Sequence, residues 1–107
     1  MHIIETIVFS RRARELMTEE EFRLLQATLV RRPLAGVVIP GTRGLRKLRW
    51  ALSGRGKRGG ARVIYYARSA EDRLYLLYIY AKNEQEDLTP AQLHAIRAYL
   101  TAEDEGE

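Results

Sequence analysis

Two apolar, aromatic runs constrain this chain most: Ala61 to Arg68 (ARVIYYAR) and Leu74 to Ala81 (LYLLYIYA), separated only by the polar turn Ser69 to Asp72 and Arg73. Their β-branched and aromatic residues favour a pleated, buried setting, and the short spacing predicts two strands in antiparallel succession. Leu45 to Leu52 alternates in the same manner and adds a third strand. Because side chains alternate across a pleat, Arg46, Leu48, Trp50 and Leu52 share one face while Lys47 and Arg49 share the other. In the last strand Leu77, Ile79 and Ala81 fall on one side, and Tyr78, Tyr80 and Lys82 on the other. The expected core is therefore a sheet of three long strands with one apolar face and one cationic, phenolic face.

The remaining elements are shorter. Ile3 to Phe9 reads as a first strand, Ser10 as the cap of a short helix over Arg11 to Leu16, and Thr18 with Glu21 as the capping box of a second helix. Phe22, Leu25 and Leu29 form that helix's apolar stripe, and Pro33 ends it by forcing the preceding residue away from helical angles. Gly36 to Pro40, with Gly41 and Gly44, make a turn-rich connection. Thr89, Pro90 and Gln92 supply an N-cap, an N1 proline and an N3 acceptor for a last helix with Leu93, Ile96 and Leu100 on one side. His94 is expected partly buried there, and the tail beyond Ala102 frayed. The whole is an α+β fold: two N-terminal helices packed on a small, mainly antiparallel β-sheet, with a C-terminal helix against its edge or end and the other face open. At 107 residues the chain is expected to form a single domain over 1–107.

Charge is distributed unevenly. Between Phe22 and Ala70 there is no Asp or Glu, yet Arg23, Arg31, Arg32, Arg43, Arg46, Lys47, Arg49, Arg55, Lys57, Arg58, Arg62 and Arg68 all lie in that stretch. Such a block, in a chain of net charge +4, points to a polyanionic partner. The absence of cysteine excludes disulfide staples and thiolate metal sites, and only His2 and His94 are present, so no cofactor or metal is expected. With no signal-like start and no run near the roughly 18 apolar residues of a membrane span, a soluble, cytoplasmic protein without membrane contact is expected.

The loop GRGKRGG lacks the GxxxxGK[ST] order of a phosphate-binding P-loop and joins two strands, so its glycines signal close backbone approach and freedom of conformation. Lys57 and Arg58 in it suit phosphate binding better than proton transfer. What remains is a cationic and phenolic cluster able to act on RNA without a metal. The 2′-hydroxyl attacks the neighbouring phosphate, so the site must take a proton, stabilise a phosphorane and protonate the leaving oxygen. Arg62 or Arg49 suits the non-bridging oxygens, a lysine crowded by cations can move a proton, and Tyr80 can stack a base or hold the attacking hydroxyl. Glu84 is the one nearby carboxylate that could act as base, and it reads equally as a surface residue.

Gly44 to Ala67 (GLRKLRWALSGRGKRGGARVIYYA) followed by Leu74 to Gln92 (LYLLYIYAKNEQEDLTPAQ) resembles the RelE/HigB superfamily of type II toxins, most of all the HigB branch, with its G-K-G/R-R-G-G-x-R-[IV]-[IV]-Y-Y centre and Y-x-K-N-E ending. The resemblance spans nearly the whole chain. It implies a microbial ribonuclease fold and a toxin that cleaves mRNA in the ribosomal A site and inhibits translation. It also implies neutralisation by an antitoxin with a helix-turn-helix DNA-binding domain, through which the pair occupies operator DNA. By motif position Lys47, Arg49, Arg62 and Lys82 fall on the catalytic positions, with Tyr80 as the phenol. Arg43, Arg46, Arg55, Lys57 and Arg58 are expected to bind RNA or ribosome. The best-known RelE members have a tyrosine where this chain has Leu88, and an arginine where it has Asn83.

Two other functions compete with the nuclease: a ParE-like inhibitor of DNA gyrase, and an RNA-binding module without activity. The paired Lys47 and Arg49 with Arg62 favour the nuclease over the gyrase inhibitor. The lack of an evident general base keeps the plain binding module in play.

Overall fold

The computed structural model describes residues 1–53 and 59–105. Its first strand, β1, is short, covering His2–Glu5, because Thr6 ends it and caps helix α1 (Ile7–Leu16). The Thr6 hydroxyl oxygen accepts from Phe9 N at 3.0 Å while its own proton goes to Leu77 O at 3.0 Å. Ile7, Val8 and Phe9, expected in a strand, are helical for this reason: a good N-cap outweighs the strand preference of a three-residue apolar run. Helix α2 (Glu19–Arg31) opens with the expected capping box, Thr18 and Glu21 each accepting from the other's backbone N–H at 3.1 and 2.9 Å.

Four further strands follow: β2 (Val37–Val38), β3 (Arg46–Trp50), β4 (Ala61–Arg68) and β5 (Arg73–Ala81), the last two joined by a single 3-10 turn at Ser69–Glu71. The sheet order is β1-β5-β4-β3-β2, with β1 parallel to β5 and the other pairs antiparallel. The sheet thus holds the three expected long strands between two short edges: β1, a shortened form of the expected first strand, and β2, which the sequence reading left in a turn-rich connection. Short edge strands leave little unpaired backbone for another chain to join. Helix α3 runs over Pro90–Glu105, past Ala102, where fraying was expected.

Helices α1 and α2 cover one face, as the sequence predicts. Phe9, Ala13, Leu25 and Leu29 are buried against Val63, Tyr65, Leu74, Leu76 and Ile79. Each large side chain removed from water contributes about 1.5–3 kcal/mol. The opposite face is not left open. Ile96 and Leu100 of α3 pack with Leu45, Ile64, Tyr75, Leu77 and Tyr80, so the last helix lies on the second face rather than against an edge. A register shift between Ile64 and Tyr65 makes this possible, since Ile64 pairs with Tyr78 but Tyr65 with Leu76. The extra residue, Leu77, joins the α3 side instead of staying with Ile79. A β-bulge of this kind breaks the alternation on which the sequence prediction for Leu77 rests.

Polar links secure α3. Arg68 lies between the rings of Tyr66 and Tyr75, 5.6 Å from each centroid, and pairs with Glu71 and with Asp104 of α3. Arg97 donates to Thr42 O at 2.7 Å. His94 is exposed, contrary to expectation, because the buried stripe of α3 passes through Ile96 and Leu100. Among the described residues no helix is long and apolar enough to cross a membrane.

Candidate nucleic-acid interface

The second face also carries the cations, of which Arg49 is exposed, Lys47 and Lys82 are half-buried and Arg62 is buried. Register fixes their order: Arg49 of β3 pairs with Arg62 of β4, which pairs with Tyr80 of β5, so the three form one row across the sheet. Neighbouring strands lie about 4.8 Å apart, so each member of the row is within reach of the next. One same-face step along the strands, Lys47 stands beside Ile64 and Tyr78. Lys82 continues from the end of β5 and donates its backbone N–H to Gly60 O at 2.9 Å. The structure therefore brings Arg49, Arg62, Tyr80, Lys47 and Lys82 together.

Arg62 differs from its expected setting. It is 6% exposed rather than open, and its Nη1 donates to Gly59 O at 2.9 Å and Ala61 O at 3.2 Å. Two glycines make that possible. Gly60 has φ +66, and a Cβ there would stand 2.4 Å from Trp50 O. Gly59 has φ +81, and a Cβ would press on Lys82 Cβ and Cγ at 3.1 Å. Only glycine adopts this backbone freely and leaves this space, so the loop's end can fold against Lys82 and place its carbonyl on Arg62. Both bonds use Nη1, and the other guanidinium N–H groups take no partner among the described residues. The glycine pair positions an arginine.

Lys47 is paired with a carboxylate that sequence reasoning overlooked. Its Nζ lies 3.2 Å from Asp87 Oδ1. Asp87 is brought back by the turn after β5, where Lys82 Nζ donates to Glu86 O at 3.3 Å and the Tyr80 hydroxyl lies 3.5 Å from the same oxygen. The signal was the spacing itself, since five residues past Lys82 suffice for the chain to reverse before the Thr89 cap. Lys47, Tyr80 and Asp87 line a cleft of about 190 Å³ with Ile39, Thr42 and Leu88. Burial raises the Tyr80 pKa, Asp87 raises it further, and Arg62 opposes both. Its hydroxyl is thus neutral at neutral pH. Tyr80 is fully buried, ring and hydroxyl together, so it offers no stacking face to RNA.

Other candidates lie elsewhere. Arg46 is on the helix-covered face, where its Nη1 donates to Gly36 O at 2.8 Å and Leu34 O at 3.3 Å. Arg43 is exposed in the turn before β3 with φ 59. Arg55, Lys57 and Arg58 lie outside the described residues. Glu84 is engaged away from the row: it accepts from Ala81 N at 2.9 Å and pairs with Arg12.

A five-stranded mixed sheet with two helices on one face, a third on the other, and a row of cations on that second face defines a small α+β protein of the RelE-like kind. The family model described as RelE toxin of the RelE / RelB toxin-antitoxin system matches residues 1–104. The chain belongs to this RelE toxin family, and membership implies a cognate antitoxin as partner.

Proposed function

We propose that this toxin, acting as one unit over 1–107, is a metal-independent endoribonuclease that cleaves mRNA in the ribosomal A site and so inhibits translation. The observation that carries the proposal is the Arg49, Arg62, Tyr80 row with Lys82 and Lys47 at its flanks. In the reaction the RNA 2′-oxygen forms a bond to phosphorus, the bond from phosphorus to the 5′-oxygen breaks, and the products are a 2′,3′-cyclic phosphate and a 5′-hydroxyl. Arg62 and Arg49 hold the non-bridging oxygens, where fork-shaped donors meet the charge that builds in the phosphorane. Tyr80, buried beneath the row, steadies Arg62 beside it and the turn that carries Lys82. Lys47 and Lys82 handle the proton that leaves the 2′-oxygen and the one that reaches the 5′-oxygen. Arg43 with Arg55, Lys57 and Arg58 extends the cationic surface toward RNA and ribosome, while Arg46 supports the sheet.

The branch closest to this chain is HigB, on the G-K-R-G-G-A-R-V-I-Y-Y and Y-A-K-N-E segments. The protein works in the cytoplasm, and its antitoxin carries the helix-turn-helix domain that takes the pair to operator DNA. Primer extension on a defined mRNA in a purified translation system tests the activity. Cuts within the A-site codon that require ribosomes are expected. Intact mRNA at saturating toxin would return the weight to gyrase inhibition or plain RNA binding.

A further inference from the structure

The cationic row depends on how β5 ends, and β5 ends in an unusual way. Strand β1 pairs only with Arg73 to Leu76, which leaves the outer edge of β5 from Leu77 to Ala81 without a strand partner. Side chains fill the gap in order. Thr6 takes the Leu77 carbonyl, Arg12 Nε donates to Ile79 O at 2.8 Å, and the Ala81 N–H donates to Glu84 Oε1 at 2.9 Å. Arg12 Nη2 then bonds the same Glu84 oxygen, and its guanidinium lies 5.5 Å from the Tyr78 ring centroid. One side chain on α1 thus ties the end of β5 to the turn that follows.

That turn carries the proposed chemistry. Lys82 is in it, Glu86 O receives both Lys82 Nζ and the Tyr80 hydroxyl, and Asp87 holds Lys47. Neither Arg12 nor Glu84 belongs to the row itself, and Glu84 is committed to Ala81 N and Arg12, so it is not poised to take a proton from RNA. We infer that Arg12 and Glu84 are positioning residues: the link from α1 to Glu84 sets the 82–87 turn and thereby the placement of Lys82, Tyr80 and Lys47. The inference rests on the nuclease reading above. A planar fork is needed because two acceptors, Ile79 O and Glu84, must be met at once, which a lysine ammonium on a flexible stem does poorly. Supports of this kind govern rate, since a misplacement near 1 Å can cost about 100-fold.

The test combines turnover with NMR on the purified toxin. With Arg12→Ala and Glu84→Ala, kcat for ribosome-bound mRNA is expected to fall about 10- to 100-fold with KM unchanged. Arg12→Lys is expected to recover little of the loss. The double variant is expected to be no slower than either single one, because both act through one link. Backbone amide signals of residues 82–87 should move in all of these variants, while those of β3 stay in place. A wild-type kcat in Arg12→Ala, a change confined to KM, or unmoved 82–87 signals would overturn the inference. Should wild-type toxin leave mRNA intact, the nuclease reading fails by itself, and the amide signals still decide whether the link sets the turn. If Arg12→Ala loses its thermal transition, Glu84→Gln decides, since it keeps an acceptor for Ala81 N and removes only the charge facing Arg12. Displaced 82–87 signals in that variant support the link, and unchanged ones overturn it.

Discussion

The two ends of the sheet's second face are made from the same strands but from opposite materials. At one end Ile64, Tyr75 and Leu77 are sealed beneath Ile96 and Leu100 of α3, and the cation present, Arg68, is enclosed by Tyr66, Tyr75, Glu71 and Asp104. At the other end Arg49 and Arg62 sit side by side with Lys82 near, and Asp87 is the one carboxylate paired there among the described residues. Arginine surrounded by rings and acids stabilises a helix on a sheet. Arginine beside arginine does not, because like charges repel and their attraction to a third, negative body is left unused. The proposed RNA site thus falls at the end whose cations have few acids beside them.

Substitutions can break that comparison in order of effect. Leu25→Ala, fully buried between α2 and the sheet, should destabilise by about 2–5 kcal/mol, read as the loss in denaturant unfolding. Gly60→Ala should cost about 1–3 kcal/mol, because alanine is strained at that φ and its Cβ would meet Trp50 O. The same variant should also lower RNA cleavage by displacing the carbonyls that hold Arg62. Thr18→Ala should cost about 1 kcal/mol through loss of the cap.

Glu21 adds a pH dependence at that cap. The backbone N–H of Thr18, then that of Ser53, holds its carboxyl below the ordinary glutamate value. A lowered folded-state pKa stabilises above the unfolded value and loses that contribution as pH falls through the lowered one. The gap in Tm between wild type and Glu21→Gln should accordingly close on acidification below the usual glutamate range. A gap independent of pH would remove the carboxylate from the account. Smallest in stability is Arg49→Ala, expected within about 0.5 kcal/mol of wild type. Yet it should reduce the slope of log ribosome affinity against log salt by about 1, which marks it as a residue of the binding end.

Much of the architecture was written in local pattern. The Thr18 and Glu21 box, the Thr89 and Gln92 cap, the alternation in Leu45 to Leu52 and the apolar, aromatic run Ala61 to Arg68 are all short-range signals, and each appears in the fold. The placement of Lys47 and Arg49 on one face followed from pleat alone. What escaped depends on contacts distant in sequence. Thr6 ends β1 partly because its hydroxyl meets Leu77 O, 71 residues away, and nothing near Thr6 announces that partner. The bulge at Leu77 and the docking of α3 on the second face decide each other, so alternation within β5 could not reveal either one. Val37 and Val38 form a strand only because Lys47 and Arg46 lie opposite them. Asp87 reaches the site through a turn, where no periodicity reports direction.

The most direct test compares wild type with Arg62→Ala in ribosome-programmed mRNA cleavage, with thermal unfolding followed on the same samples. The account predicts that cleavage within the A-site codon is lost while the cooperative thermal transition and ribosome binding persist. Cleavage at the wild-type rate in the folded variant, or loss of the transition together with the activity, would contradict it.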